Sequence, residues 1–268
     1  WFSDGRQKLQ SSWSTWELPT GANILDLKII ESELYLVVSY SSQNASVDST
    51  SVEKIDLQYL DDTNLSYCVR ADRKVSVLGV YDNNANETTW TLPYTPEANS
   101  TMYIIRDGNT PEHLTGARGT NITVSSLSGN QVKASGHHTL SNCIIGISYP
   151  MTYEFSHQYI REKDGTQSIQ SGRLQMRTMR VNFENTGFFK IDVTPEHRQT
   201  YSYEYTGVTL NQAGSIIGAV ILNDGTFRFP LQSKNDRLKI EIKTDSFLPC
   251  AFQSAEWEGF YNIRSKRI

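Results

Sequence analysis

Adjacent histidines, paired carboxylates, an arginine-studded segment and three scattered cysteines are the positions whose types could do chemistry in this chain. A metal site would draw first on His137-His138, the only His pair. Neighbours in an extended segment point to opposite faces, so these two rings cannot easily chelate one ion, and a polar loop is the better reading. His113, His157 and His197 have no Cys or carboxylate at ligand spacing beyond the ordinary neighbours Glu112 and Glu196. Glycoside hydrolysis would need two carboxylates flanking a sugar, for which Asp61-Asp62, Glu256 and Glu258 are the candidates. Glu256 and Glu258 flank Trp257 and share a strand face, where like charges shift a pKa only if buried, and exposure is expected. Gly-x-Ser-x-Gly, His-Glu-x-x-His and a phosphate loop are all missing. The expectation is a protein with no catalytic residue, no cofactor-binding residue and no metal ligand.

The segment Arg173-Leu174-Gln175-Met176-Arg177-Thr178-Met179-Arg180 invites a nucleic-acid reading. Alternation puts Arg173, Gln175 and Arg177 on one face and Leu174 and Met176 on the other, the pattern of any amphipathic strand. No stacking aromatics or longer basic track follow, so a solvated or intersubunit face is favoured over phosphate contact. The terminal Arg264-Ser265-Lys266-Arg267 could keep an end soluble or pair with an acidic patch of a neighbouring subunit. The formal net charge of −4 leaves no overall basic field to draw the chain onto nucleic acid. Cys68, Cys143 and Cys250 are odd in number and far apart, which argues against a disulfide framework and for a reducing birthplace. Sequons at Asn44, Asn64, Asn86, Asn99 and Asn121 are expected by chance in a chain this rich in Asn, Ser and Thr.

The elements that position these residues read as strands. Alternation with period two runs through Leu25-Leu27-Ile29, Leu34-Leu36-Val38, Ile55-Leu57-Tyr59 and Val75-Val77. It returns in Phe189-Ile191-Val193, Tyr201-Tyr203-Tyr205, Phe227-Phe229-Leu231 and Leu238-Ile240-Ile242. No window sustains a capped helical stripe, so the fold class is all-β, with a hydrophobic content of 38% sufficient for a core. No apolar run reaches the roughly 20 residues of a membrane-spanning helix.

Residues 11–58 read as four short strands, Ser12–Leu18, Ile24–Ile30, Glu33–Tyr40 and Val52–Gln58, which matches one blade of a β-propeller. Trp1-Phe2-Ser3 opens without an initiator Met, so the chain reads as a piece of a longer polypeptide whose other blades precede it. From Asp61 to Asn142 the texture turns Asn/Thr/Ser/Gly-rich around strands at Lys74–Tyr81, Thr88–Leu92, Thr101–Ile105 and Asn121–Val124. This suggests an inserted Ig-like or β-sandwich domain. A C-terminal β domain follows, with Asn223-Asp224-Gly225 expected as a tight turn. The expected division is 1–60, 61–142 and 143–268.

Several segments carry a family resemblance in the right order. Gln10-Ser11-Ser12-Trp13-Ser14-Thr15-Trp16-Glu17-Leu18, Glu33–Val38 and Val52–Leu57 resemble the last propeller blade of the tail tubular protein B, or nozzle, family of short-tailed bacteriophages. Ser171–Arg177 with Asn185-Thr186-Gly187-Phe188-Phe189 resembles the family's next block, and Ser254-Ala255-Glu256-Trp257-Glu258-Gly259 its C-terminal end. The resemblance implies a virion structural protein made in the bacterial host cytoplasm. It implies a homo-hexamer closing the distal end of a short tail, in contact with a connector ring (tail tubular protein A) and tail fibres. Phage DNA would pass through its channel with transient, non-specific contact, and no cofactor would be needed. A net negative wall repels phosphates, which suits a lumen that DNA slides along. Two other classes stay open on the residues alone. One is a receptor- or glycan-binding tail module, and the other is a propeller-borne glycosidase with two carboxylates about 5 to 9 Å apart.

Overall fold

The computed structural model describes residues 2–3, 8–10, 15–19, 21–31, 33–40, 49–55, 62, 65–97, 99–108, 118–161, 168–169, 172–207 and 220–263. The chain forms two compact units, Trp1–Tyr59 and Leu60–Ile268. Strands and their connections account for the described residues, with one short 3-10 turn at Asn235–Arg237 and no α-helix among them. The all-β reading of the period-two pattern therefore holds.

In the first unit, β1 (Phe2–Ser3) and β2 (Lys8–Gln10) form a minimal antiparallel pair. β3 (Ala22–Ile30), β4 (Glu33–Tyr40) and β5 (Ser49–Ile55) make a three-stranded antiparallel sheet with β4 in the middle. A fourth strand was expected at Ser12–Leu18. Of that span, 11–14 lie outside the described residues, and 15–18 are not in a strand. Pro19 follows directly and its carbonyl accepts from the Ala22 amide at 3.1 Å, so the chain turns there. Leu36 and Val38 of the central strand are buried. The register shifts between Ile24 and Asp26, leaving Leu25 as an extra residue in β3. Leu27 and Ile29 lie opposite Leu36 and Leu34, yet remain 61% and 70% exposed.

The second unit begins with two sheets on one core. One sheet runs in the order β10 (Ser126–Ser128), β11 (Gln131–Ser135), β8 (Glu87–Thr91), β7 (Val80–Asp82). The other runs β6 (Asp72–Val77), β12 (Cys143–Ile147), β9 (Met102–Arg106). Trp90, Leu92, Ile104, Val132, Cys143 and Ile145 fill the space between them. The expected strand Lys74–Tyr81 is thus two strands in different sheets, broken at Leu78-Gly79. A Cβ on Gly79 would come within 2.5 Å of Thr88 and 2.8 Å of the Trp90 indole nitrogen. Asn121–Val124 makes one isolated bridge, Ile105 to Asn121, rather than a strand. β10 and β11 form a hairpin around Gly129-Asn130, a turn pair set between alternating residues. β12 begins at the expected 142/143 boundary and pairs on both sides within this sheet.

A second pair of sheets follows. Its first sheet is ordered β13 (Met151–Glu154), β18 (Leu238–Thr244), β15 (Phe188–Pro195), β16 (Tyr201–Thr206). Its second is β17 (Asn223–Lys234), β14 (Gly172–Thr186), β19 (Ala251–Ile263). Met176, Met179, Val181 and Phe183 meet Phe189, Ile191, Val193, Phe229, Leu231, Ile240 and Ile242 in a common core. Phe189 is its aromatic hub, with Phe183, Tyr205, Phe227 and Phe252 at centroid distances of 5.4, 5.0, 5.5 and 5.2 Å. Asn223-Asp224-Gly225 is not a hairpin turn but the start of β17. Asp224 Oδ1 accepts from the Asn185 amide at 2.7 Å and Gly225 pairs with Phe183, so the ladder to β14 continues through the triplet.

The two pairs of sheets are joined by a smaller cluster in which Leu65, Tyr67, Val69, Ile105 and Ile144 pack against Val220, Leu222, Phe247 and Leu248. The Arg70 amide donates to the Phe247 carbonyl at 2.8 Å, and the Tyr103 hydroxyl donates to the Asp245 carbonyl.

Candidate functional site

The arginine segment and the Glu256/Glu258 pair, far apart in sequence, meet on one surface. Met179, Val181 and Phe183 of β14 point into the core, which sends Thr178, Arg180 and Asn182 outward. Arg180 stands between Arg228 of β17 and Glu256 of β19, Asn182 between Thr226 and Ser254, and Thr178 between Pro230 and Glu258. These side chains are hydrogen-bonded across the strands. Asn182 Nδ2 donates to Ser254 Oγ at 2.8 Å, and Thr226 Oγ1 donates to Asn182 Oδ1 at 2.7 Å. Glu258 sits between Arg177 Nη1 at 3.3 Å and Arg228 Nη2 at 3.4 Å and also accepts from Thr178 Oγ1 at 3.3 Å. Arg173 Nη2 donates to Gln175 Oε1 at 3.3 Å.

A bulge sets this pattern. β14 slips by one residue against β19 between Met176 and Thr178, so Arg177 is an extra residue beside Gly259. Gly259 is required there, because a Cβ would lie 2.6 Å from the Gln175 carbonyl oxygen. Simple alternation placed Arg173, Gln175 and Arg177 on one face. The bulge adds Thr178 and Arg180 to it by resetting the phase. The resulting face carries Arg173, Arg177, Arg180 and Arg228 against Glu256 and Glu258, all exposed, so each ion pair is solvated and weak. Glu256 and Glu258 do share a face, as expected; both are exposed, and Glu258 is held by Arg177 and Arg228.

The outer face of the opposing sheet is built differently. Lys239 contacts Glu154 at 3.5 Å and Glu241 at 2.9 Å; Lys243 contacts Glu241 at 3.0 Å and Asp192 at 3.1 Å; Lys190 reaches Asp192 at 3.8 Å. Burial works to raise the Asp192 pKa, but hydrogen bonds from Ser202 and Lys243 outweigh it and leave the carboxyl below its ordinary value. The Lys239 hydrogen bond lowers that of Glu241. This lattice satisfies its own charges.

The remaining candidates are structural where they are described. His137 stacks on Tyr81 at 4.4 Å and bonds Thr139 Oγ1 at 2.6 Å, whereas His138 stacks on Trp90 at 6.1 Å. The two rings have different partners, on a non-strand stretch after β11, in keeping with the polar-loop reading. His138 Nε2 donates to the Ser135 carbonyl at 2.8 Å, which leaves Nδ1 to accept from Arg106 Nη2 at 3.1 Å. Burial lowers its pKa, and Arg106 and His137 push the same way. His157 and His197 are exposed; His113 and Asp61 lie outside the described residues. Asp62 binds Lys74 Nζ at 2.9 Å and accepts from the Val69 amide at 2.6 Å. Asn86 and Asn121 use their side-chain oxygens to accept from Tyr81 Oη at 2.9 Å and the Ile104 amide at 3.2 Å. Asn99 is exposed; Asn44, Asn64 and Arg264–Arg267 lie outside the described residues. Among the described residues no cluster of His, Cys, Asp and Glu could hold a metal ion.

The described polar side chains of these all-β units are largely engaged in cross-strand hydrogen bonds and ion pairs. Residues 1–268 match the bacteriophage nozzle protein family, and the chain belongs to that family. It is similar to tail tubular protein gp12 of Escherichia phage T7, with 28% identity over 273 residues and 97% of the chain aligned. The chain spans about a third (32%) of that relative's length.

Proposed function

We propose that this chain is part of the distal nozzle of a short phage tail, a virion structural protein with no enzymatic role, assembled as a homo-hexamer around a channel through which DNA leaves. Family membership across the whole chain carries this reading. Assembly would involve a connector ring (tail tubular protein A) and tail fibres, after synthesis in the host cytoplasm. The sheet of residues 22–55 is read as the last blade of a β-propeller. The apolar side chains left exposed along Ile24–Ile30 are the kind of surface that a blade buries against its neighbours. Residues 61–142 are read as an inserted Ig-like or β-sandwich domain, and 143–268 as a C-terminal β domain.

The face bearing Arg177, Arg180 and Arg228 suits either subunit contact or passing DNA. Its guanidinium groups are partly neutralised by Glu258, and a phosphate backbone would meet hydrated, weakly attractive groups that it can leave. The decisive experiment is light scattering and negative-stain imaging of the whole protein with its connector ring. Rings of six that dock on the connector support the reading. A monomer that ignores the connector refutes it.

A receptor- or glycan-binding module is the second reading. The Tyr81–His137 ring pair, with His137 exposed and Tyr81 partly so, offers an aromatic surface for it. Saturable binding on a glycan array by a monomer would favour it.

A further inference from the structure

One nucleophilic cluster lies apart from the charged sheet faces. Lys74 Nζ of β6 sits 3.4 Å from Cys68 Sγ, between the thiol and Asp62, whose two carboxylate oxygens are 2.9 and 3.1 Å away. The Val69 amide donates to Asp62 Oδ2 at 2.6 Å, and the Val69 carbonyl lies 3.5 Å from Nζ. These bonds fix the three side chains as a row of carboxylate, ammonium and thiol. The sulfur-to-nitrogen separation is already within the roughly 3–3.5 Å of a near-attack contact.

The other two thiols lack this arrangement. Burial pushes Cys143 and Cys250 each up to about 11, so on the order of a thousandth of either is thiolate at pH 8. Cys68 is buried as well, but Lys74 Nζ is in direct contact with its sulfur; the thiolate is the form that peroxide attacks.

We propose that Cys68 and Lys74 are an oxidisable pair that closes a covalent sulfur–nitrogen link when the protein meets a peroxide. Hydrogen peroxide oxidises the Cys68 thiol to the sulfenic acid and is itself reduced to water. Lys74 passes its ammonium proton to Asp62, and the free amine attacks the sulfenic sulfur. The S–N bond forms as the S–O bond breaks, and the hydroxyl leaves as water with the second amine proton. The product is a sulfenamide lighter than the starting chain by two hydrogens, and an excess of thiol reduces it back to Cys68 and Lys74. Burial works to lower the Lys74 pKa, but the Asp62 hydrogen bond and the Cys68 contact leave it raised. The free amine is therefore the scarce form, and link formation accelerates as pH rises.

The full chain treated with hydrogen peroxide and digested after Arg70 and Arg73 provides the test, because cleavage there leaves Cys68 and Lys74 in different peptides. The expected result is a joined pair of peptides, two hydrogens lighter than their sum, that separates on adding dithiothreitol. Lys74→Arg keeps the charge beside Asp62 and should abolish the joined species while raising dimedone labelling of Cys68 about tenfold, since the sulfenic acid then persists. Asp62→Asn should slow joining relative to the native chain. Direct passage of native Cys68 to sulfinic acid with no joined peptides overturns the proposal. So does oxidation of Cys143 and Cys250 as fast as Cys68, or a joined species that survives in Lys74→Arg.

Discussion

Within residues 60–268 the large apolar side chains that lie between facing sheets end up dry, although others such as Val80 and Phe260 stay exposed. Trp90, Ile104, Phe189, Ile191 and Phe229 are all essentially inaccessible, each held between two facing sheets. In the sheet of residues 22–55 the same kinds of side chain are left in water, with Leu25 and Leu27 61% exposed and Ile29 and Val52 70% exposed. Both regions alternate with period two, and both pair antiparallel. The difference lies in what faces them, because a sheet buries only the side that another layer covers. A strand such as β3, with apolar residues along an open edge, is an adhesive surface unless something else seals it.

Core truncations should separate the regions most sharply. Phe189→Ala and Trp90→Ala should each cost ~3–5 kcal/mol, read as a lower denaturation midpoint. Leu27→Ser or Ile29→Ser in this chain should change that midpoint by less than ~0.5 kcal/mol, since little burial is lost. A large loss at Leu27 would mean that β3 is already covered. Hydrogen exchange gives the same contrast without mutation: β15 amides should open only with global unfolding, and β3 amides much sooner. Protection of β3 in the whole protein, absent in this chain, would show that the remaining length supplies the missing layer.

Gly259→Ala should cost ~1–3 kcal/mol, because the new methyl meets the Gln175 carbonyl across the bulge. It should also disturb the Arg177–Glu258 contact, whereas Glu258→Gln should leave stability nearly unchanged and strengthen retention on a DNA column at low salt. Equal retention of both forms would remove that face from consideration as a phosphate contact. A smaller effect concerns His138. Its folded pKa lies below the ordinary 6.5, so the stabilisation is fully present above that value and is lost as pH falls through 6.5 towards the lowered value. His138→Gln should flatten this part of the stability profile, measured by urea unfolding between pH 7 and pH 5, where the unfolded His begins to bind a proton.

The sequence by itself determined the all-β class, because side chains alternate along any strand and water sorts the two sides. It also determined the shared face of Glu256 and Glu258, which follows from the same two-residue repeat. The tertiary structure decided what a repeat cannot encode. The bulge at Arg177 resets the phase of β14, and only the Gln175 backbone packed against Gly259 explains why it sits there. Asn223-Asp224-Gly225, a turn by composition, runs as strand because Asn185 and Phe183 offer it partners across the sheet. Arg177 and Arg228 reach Glu258 through strands that are distant in the chain. Such meetings depend on register and on which sheet faces which. Long-range packing sets both, and no local spacing of residues contains them.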